Sequence, residues 1–251
     1  MVAAQLEIVS RTDVGLKREH NEDRLAVFPD MGLVVLADGM GGYNAGEVAS
    51  QLVIDAVATE LVPLLRKDVE SVGPDEVVSA VKKSNLEIFE AVKRNAELDG
   101  MGTTIVLAVF RGKDAVFAHV GDSRLYRFRA GRLEPLTSDH SMLQELLNQG
   151  MFASEDEAID AGVPSSVLTR GLGVELDVEV DIREEVLRDG DIFLLCSDGL
   201  SGMIPDEAID SVLGSLPDDL SGAADLLVKL ALEGGGKDNI SLILARCHSK
   251  K

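Results

Sequence analysis

Residues 34–42 read Val34-Val35-Leu36-Ala37-Asp38-Gly39-Met40-Gly41-Gly42, four apolar residues, one carboxylate and three glycines within the next four positions. Such a run can be a hairpin, because Asp-Gly is the commonest turn dipeptide. It can be the glycine loop of a nucleotide-binding βα unit, which would make the fold a doubly wound parallel sheet. It can also be a buried strand that delivers the carboxylate itself. The elements on either side decide between these.

Upstream lie short strand patterns at 7–9, 24–28 and 33–37, bounded by Pro29-Asp30 and Gly32. Downstream, residues 45–66 place Val48, Leu52, Val53, Ala56, Val57 and Leu61 on one helical face, and Pro63 is expected to end or kink that helix. A second helix over 75–98 carries Val77, Val81, Leu86, Ile88 and Val92 in the same way. Strands return at 103–110, 115–120, 124–128 and 132–136 and read as a meander. Residues 141–160 are helical and polar with a stop at Gly150, strands follow at 178–182 and 191–197, helices at 205–213 and 221–233, and a last strand at 239–246. Runs of strands and runs of helices without βαβ alternation predict an α+β fold of antiparallel sheets covered by helices. No linker divides the chain, so a single domain over 1–251 is expected, with a flap within 141–175.

Composition narrows the function. Hydrophobic residues are 45 % of the 251, and mean hydropathy is +0.12, values of a folding chain. The 24 basic against 44 acidic residues give a net charge of −20, which repels nucleic acid and anionic membranes. Tryptophan is absent and aromatics are 4 %, leaving little for base stacking. A phosphate-bearing ligand therefore needs local positive charge. Cys196 and Cys247 have neither metal-finger nor CxxC spacing and read as reduced thiols. No basic N-terminal region precedes a long apolar core, and no run reaches ~18 consecutive apolar residues. The expectation is a soluble, cytoplasmic monomer.

Apolar strands meet an aspartate in four places: Asp38-Gly39, Asp122-Ser123-Arg124, Asp198-Gly199, and Asp238-Asn239 before Ile240. A carboxylate at the dry end of a strand is costly unless something positive meets it. Two further Asp-Gly pairs, Asp99-Gly100 and Asp189-Gly190, follow polar surroundings and read as turns. Converging carboxylates without cysteine or clustered histidine form an all-oxygen site suited to Mg²⁺ or Mn²⁺. Two such ions ~3.5–4 Å apart can clamp a phosphoryl group and hold a hydroxide between them. Upstream, Arg18 precedes Glu22 and Asp23, and arginine suits bidentate phosphate recognition.

Eight segments together resemble the PP2C (PPM) family of metal-dependent protein serine/threonine phosphatases, in its bacterial subgroup. They are RTDVGLKREHNED, VVLADGMGGYNAGEVAS, GMGTTIVLAV, AHVGDSRLYRF, LTSDHS, VLTRGLG, GDIFLLCSDGL and GGKDNISLILA, in the family's order over about residues 8–246. The resemblance implies a four-layer α-β-β-α sandwich with the metals at one end. It implies that Asp38 bridges two Mn²⁺ or Mg²⁺ ions, that the Gly39 carbonyl reaches the second, and that Asp198 and Asp238 hold the first. Asp122 would help bind a third ion with Asp198. Glu22 and Asp23 would act through metal-bound water or by supporting the ligands, Asn239 would support them, and Arg18 would bind the substrate phosphate. His140, beside the expected flap, either touches substrate or, as a lone histidine, is structural. A metal-bridging hydroxide would attack phosphorus in line, with no phosphoenzyme. Eukaryotic relatives carry a proton-donating histidine where this chain has Met40, which leaves metal-bound water as the first candidate for the general acid. Substrates would be phosphoproteins made by a bacterial Ser/Thr kinase.

Rival readings fare worse. The dinucleotide motif needs a third glycine where Asn44 stands, and Asp38 would face a pyrophosphate. Gly121-Asp122-Ser123-Arg124-Leu125 is no nucleophile elbow, Gly236-Lys237 precedes Asp238 rather than Ser or Thr, and Cys196 has Gly202 rather than arginine six residues on. A degenerate relative that binds phosphoproteins without hydrolysis would not need Asp38, Asp198 and Asp238.

Overall fold

The apolar run that opens the motif is continuous because its strand is covered on both faces. In the computed structural model, which describes residues 5–41 and 45–248, strand β3 (Leu33–Met40) has Leu33, Val35 and Ala37 under helices and Val34 and Leu36 against a second sheet. Gly42, Tyr43 and Asn44 of the motif lie outside the described residues.

One sheet orders β2 (Asp23–Phe28), β3, β5 (Ile105–Arg111), β6 (Asp114–Val120) and β9 (Asp181–Val186), with β4 (Gly102–Thr103) paired to the end of β3. The other orders β1 (Gln5–Asp13), β11 (Ile240–His248), β10 (Ile192–Cys196), β7 (Arg124–Arg129) and β8 (Arg132–Pro135). All their pairings are antiparallel. Helices α1 (Ala45–Lys67) and α2 (Pro74–Arg94) cover the first sheet; α5 (Asp198–Ser201), α6 (Asp206–Ser215) and α7 (Leu220–Glu233) cover the second. The result is the expected α+β sandwich of four layers.

Four sequence expectations change. The supposed meander is split: β5 and β6 belong to one sheet, and the chain then crosses at Gly121–Ser123 to place β7 and β8 in the other. Helix α1 runs through Pro63 to Lys67. Pro63 and Thr59 are both exposed, so water can satisfy the carbonyl that the missing N–H would have paired. Leu86 is 45 % exposed, while Asn85 is buried. The strand expected at 178–182 begins only at Asp181, because Val178 and Val180 pack into the core under the helices before β9 starts.

Helix α1 is long and apolar enough by composition to cross a membrane. Its Ala49, Val53, Val57 and Leu61 are instead spent on β3, and the core accounts for its hydrophobicity. Within 141–175 there are two short helices, α3 (Met142–Asn148) and α4 (Glu155–Asp160), capped by Ser141 and Ser154. The returning arm is fixed to the body: Leu172 and Thr103 exchange backbone hydrogen bonds, and Asn85 donates to the Glu175 and Leu176 carbonyls while accepting from Gly173 N–H.

Between the sheets Phe110, Phe117 and Phe193 pack with centroids 5.2–6.0 Å apart. Phe193→Ala should therefore cost about 3–5 kcal/mol in urea unfolding. Leu86→Ala, on an exposed helix face, should stay within about 0.5 kcal/mol.

Candidate metal centre

The two kinds of Asp-Gly pair separate cleanly in space. Gly100 and Gly190 both have φ +79° and open space where a Cβ would stand, so they are glycines for conformation. Gly39 and Gly199 lack positive φ, and a Cβ would lie 2.1 Å from the Gly46 carbonyl oxygen and 2.0 Å from that of Asn239. They are glycines for space, letting backbone reach one end of the sandwich.

Aspartates from both sheets meet at that end. Asp23 opens β2 directly opposite Asp38 on β3. Asp198 follows β10 at the start of α5, Asp238 precedes β11, and Asp122 sits on the crossing between the sheets. Burial drives the Asp38 carboxyl well above its ordinary range, and the charges of Asp23, Asp198, Asp122 and Asp238 add to this. Asp23 is pushed up to about 7, chiefly by burial, against hydrogen bonds from Ser241 and Ser197. Burial and then Asp198 push Asp122 up to about 7. Asp198 is raised by burial and by Asp238.

Hydroxyls and amides hold this cluster. Thr104 N–H and Thr103 Oγ1 donate to the Asp38 carbonyl at 2.9 and 2.8 Å, while Asp38 N–H donates to Thr104 Oγ1 at 3.1 Å. Thr104 Oγ1 in turn meets Ser123 Oγ at 2.7 Å. Ser197 Oγ donates to Asp23 Oδ2 at 2.9 Å and accepts from Ser241 N–H at 3.0 Å. On the rim, half-exposed Arg18 donates from Nη2 to Asp238 Oδ2 at 2.6 Å.

These residues fit hard divalent cations. The donors are all oxygen. Asp23 Oδ1 is buried with no hydrogen-bond partner among the described residues, and four buried carboxyls have affinities for protons that a cation would relieve.

A family model described as protein phosphatase 2C matches residues 17–225. The chain belongs to the protein phosphatase 2C family. Over 247 residues it is 39 % identical to the serine/threonine protein phosphatase PstP of Mycobacterium tuberculosis, covering 97 % of this chain and 45 % of that protein. The chain thus spans about half the length of that relative. The serine/threonine phosphatase stp of Listeria monocytogenes is 38 % identical over 241 residues, 93 % of each chain. A crystal structure of the PstP catalytic domain in complex with two manganese ions matches with a TM-score of 0.83 at 36 % identity, covering 99 % of this chain and all of that one.

Of the residues that PP2C resemblance singled out, Arg18, Glu22, Asp23, Asp38, Gly39, Asp122, Asp198, Asp238 and Asn239 come together here. Glu22 N–H donates to Asn239 Oδ1 at 2.8 Å, and the Glu22 carboxyl is raised by burial against the pull of Arg18. His140 stands elsewhere: it is 8 % exposed, its ring lies 4.4 Å from that of His119, and its Nε2 is 3.4 Å from Asp181. Thr103, Thr104, Ser123 and Ser197 were not foreseen as site residues. A β-branched pair opening an apolar strand reads only as strand, and nothing local reveals that its hydroxyl reaches a neighbouring backbone.

His119, His140 and Asp181 bring donor atoms within 4.8 Å of one another, but the partners of His140 and Asp181 oppose a cation there. Both nitrogens of His140 face donors: Gly121 N–H donates to Nδ1 at 3.0 Å, and the Arg170 guanidinium lies 3.1 Å from Nε2. A metal-ligating histidine instead gives its second N–H to an acceptor. Arg170 already supplies the positive charge, donating to Asp181 Oδ1 at 2.6 Å. Burial lowers both histidines, His119 to about 3, so the pair is neutral.

The acid cluster gives the metal-free protein a signed pH dependence. Asp23 and Asp122 titrate near 3.8 when unexposed to these effects and about 7 in the fold, so the native state holds protons that the unfolded chain releases. That stabilisation is complete below about pH 4 and is lost as pH rises through about 7. The melting temperature of EDTA-treated protein should fall from about pH 5 to 8, and Asp122→Asn should flatten the slope. A midpoint that climbs across this window in scanning fluorimetry would contradict the protonated cluster.

Proposed function

We propose that the chain is a metal-dependent protein serine/threonine phosphatase that hydrolyses phosphoserine and phosphothreonine by direct attack of water. The observation that carries this reading is the meeting of buried Asp23 with the part-buried Asp38, Asp122, Asp198 and Asp238 at one end of the sandwich, with the guanidinium of Arg18 on their rim. Asp38 and the Gly39 carbonyl would hold two ions between them, with Asp198 and Asp238 on the first and Asp122, sharing Asp198, on a third. Bound there, Mn²⁺ or Mg²⁺ supplies the Lewis acidity that makes water nucleophilic near neutral pH and offsets charge on the phosphoryl oxygens.

The chain's own residues do the rest. Burial raises the carboxyls of Asp23, Asp38, Asp122 and Asp198, so binding of the cations would be coupled to release of protons from this cluster to water. Thr103 and Thr104 clamp the Asp38 backbone, so its carboxylate is positioned before substrate arrives. Arg18, held toward the site by Asp238, has further N–H groups for a phosphate in bidentate geometry. Met40 has no proton to give, and its Cε lies where a Cβ on Gly102 or Gly171 would come within 2.9 or 2.8 Å. It serves packing between β4 and the arm that returns from 141–175, and the leaving alkoxide takes its proton from water. The substrates are phosphoproteins made by a bacterial Ser/Thr kinase, met in the cytoplasm by a single monomeric domain.

p-Nitrophenyl phosphate and a phosphothreonine peptide should be hydrolysed with Mn²⁺ or Mg²⁺ and not with EDTA; turnover unaffected by chelation would sink the reading. Asp38→Ala and Asp198→Ala should each lower kcat by at least about 10²-fold while leaving a cooperative unfolding transition. Arg18→Ala should act mainly on KM, by about tenfold, and a trapped phosphoenzyme would refute direct attack by water.

A further inference from the structure

Residues 14–22 form the strap between β1 and β2 that carries Arg18, and none of them belongs to a hydrophobic cluster. Val14 and Leu16 are 37 % and 64 % exposed. A strap without apolar anchors is positioned by its hydrogen bonds, and three of its long-range ones run to a single side chain. Asn239, 4 % exposed, donates from Nδ2 to the Val14 carbonyl and to the His20 carbonyl, both at 2.9 Å, and accepts from Glu22 N–H at 2.8 Å. The amide is thus tied to the first residue of the strap, its last, and one beside Arg18. Its own N–H donates to Asp238 Oδ1 at 2.8 Å, on the carboxylate whose other oxygen takes Arg18. Leu16 N–H to the Gly236 carbonyl, Asn21 Nδ2 to Thr12 Oγ1, and Ser50 Oγ and Gly39 N–H to the Glu22 carbonyl add to the attachment.

We infer that Asn239 is the positioning residue of the phosphate clamp: it fixes the course of the 14–22 strap so that Arg18 meets the substrate phosphoryl group. The inference rests on the phosphatase reading above. It gives Asn239 a task different from support of a metal ligand, because all three side-chain bonds go to the strap and none goes to a carboxylate. No other residue type of this size offers two donors and an acceptor at once. Aspartate would keep the bond to Glu22 N–H but set a charge against two carbonyl oxygens, and alanine would remove all three bonds at once.

A double-mutant cycle tests this in the Mn²⁺-loaded enzyme, read by KM for p-nitrophenyl phosphate, inhibition by inorganic phosphate, and Mn²⁺ affinity by titration calorimetry. With Arg18 present, Asn239→Ala should weaken phosphate inhibition and raise KM by about tenfold, the scale of one or two lost hydrogen bonds, and should act on KM more than on kcat. In the Arg18→Ala background the same change should cost less than about twofold, and Mn²⁺ affinity should shift by no more than about threefold in either. Equal losses in both backgrounds, or a loss of Mn²⁺ affinity as large as that for phosphate, would overturn the inference. If Asn239→Ala does not fold, Asn239→Asp takes its place with the same expected coupling to Arg18. A wild-type protein that turns over no phosphate ester refutes the phosphatase reading and this inference with it, whereas wild-type turnover with additive losses refutes the inference alone.

Discussion

Carboxylates crowded into a dry space repel one another and resist ionisation, and every other feature of this end of the sandwich answers that repulsion. Burial raises Asp23, Asp38, Asp122 and Asp198 together. The only arginine paired with the cluster among the described residues, Arg18, sits at its rim on Asp238. The chain does not relieve the strain from within. It supplies hydroxyls and backbone amides that keep the acids in place and leaves the neutralising charge to come from outside, which is how a protein of net charge −20 can host an anionic phosphoryl group.

Two sheets are needed to make such a crowd. A single antiparallel sheet places carboxylates at strand ends side by side, as Asp23 and Asp38 are. Asp198 and Asp238 approach from the facing sheet, and Asp122 from the connection between the two. The packing of Phe110, Phe117 and Phe193 between the sheets therefore fixes the distance between the two halves of the site as well as the stability of the core. Small shifts there would be felt by groups that must meet a cation within a few tenths of an ångström.

Much of this was legible in the sequence, for physical reasons that differ from residue to residue. Asp38 and Asp198 stood out because uninterrupted apolar runs end in an acid, which only a strand buried on both faces produces. The layer order could be expected from blocks of strands and blocks of helices. The passage of the chain from one sheet to the other at Gly121–Ser123 could not be, since apolar alternation is the same whichever sheet receives the strand. Pro63 misled because a local rule about helices ignores that an exposed carbonyl can turn to water. Thr103, Thr104 and Ser197 were silent for a deeper reason: their partners lie 65, 66 and 174 positions away, and a hydroxyl carries no periodicity.

The pairing of β1 with β11 has a bearing on how the molecule comes into being. Gln5–Asp13 finds its only sheet partner at Ile240–His248, and Asp238 stands just ahead of that partner. On a ribosome the first strand waits, unpaired, until Ile240–His248 has been made. No nascent fragment short of β11 contains Asp238 in place or the surface against which the Arg18 strap is laid. The carboxylate cluster is thus withheld by topology from a chain that has not yet reached β11, and that strand closes both the sheet and the cluster.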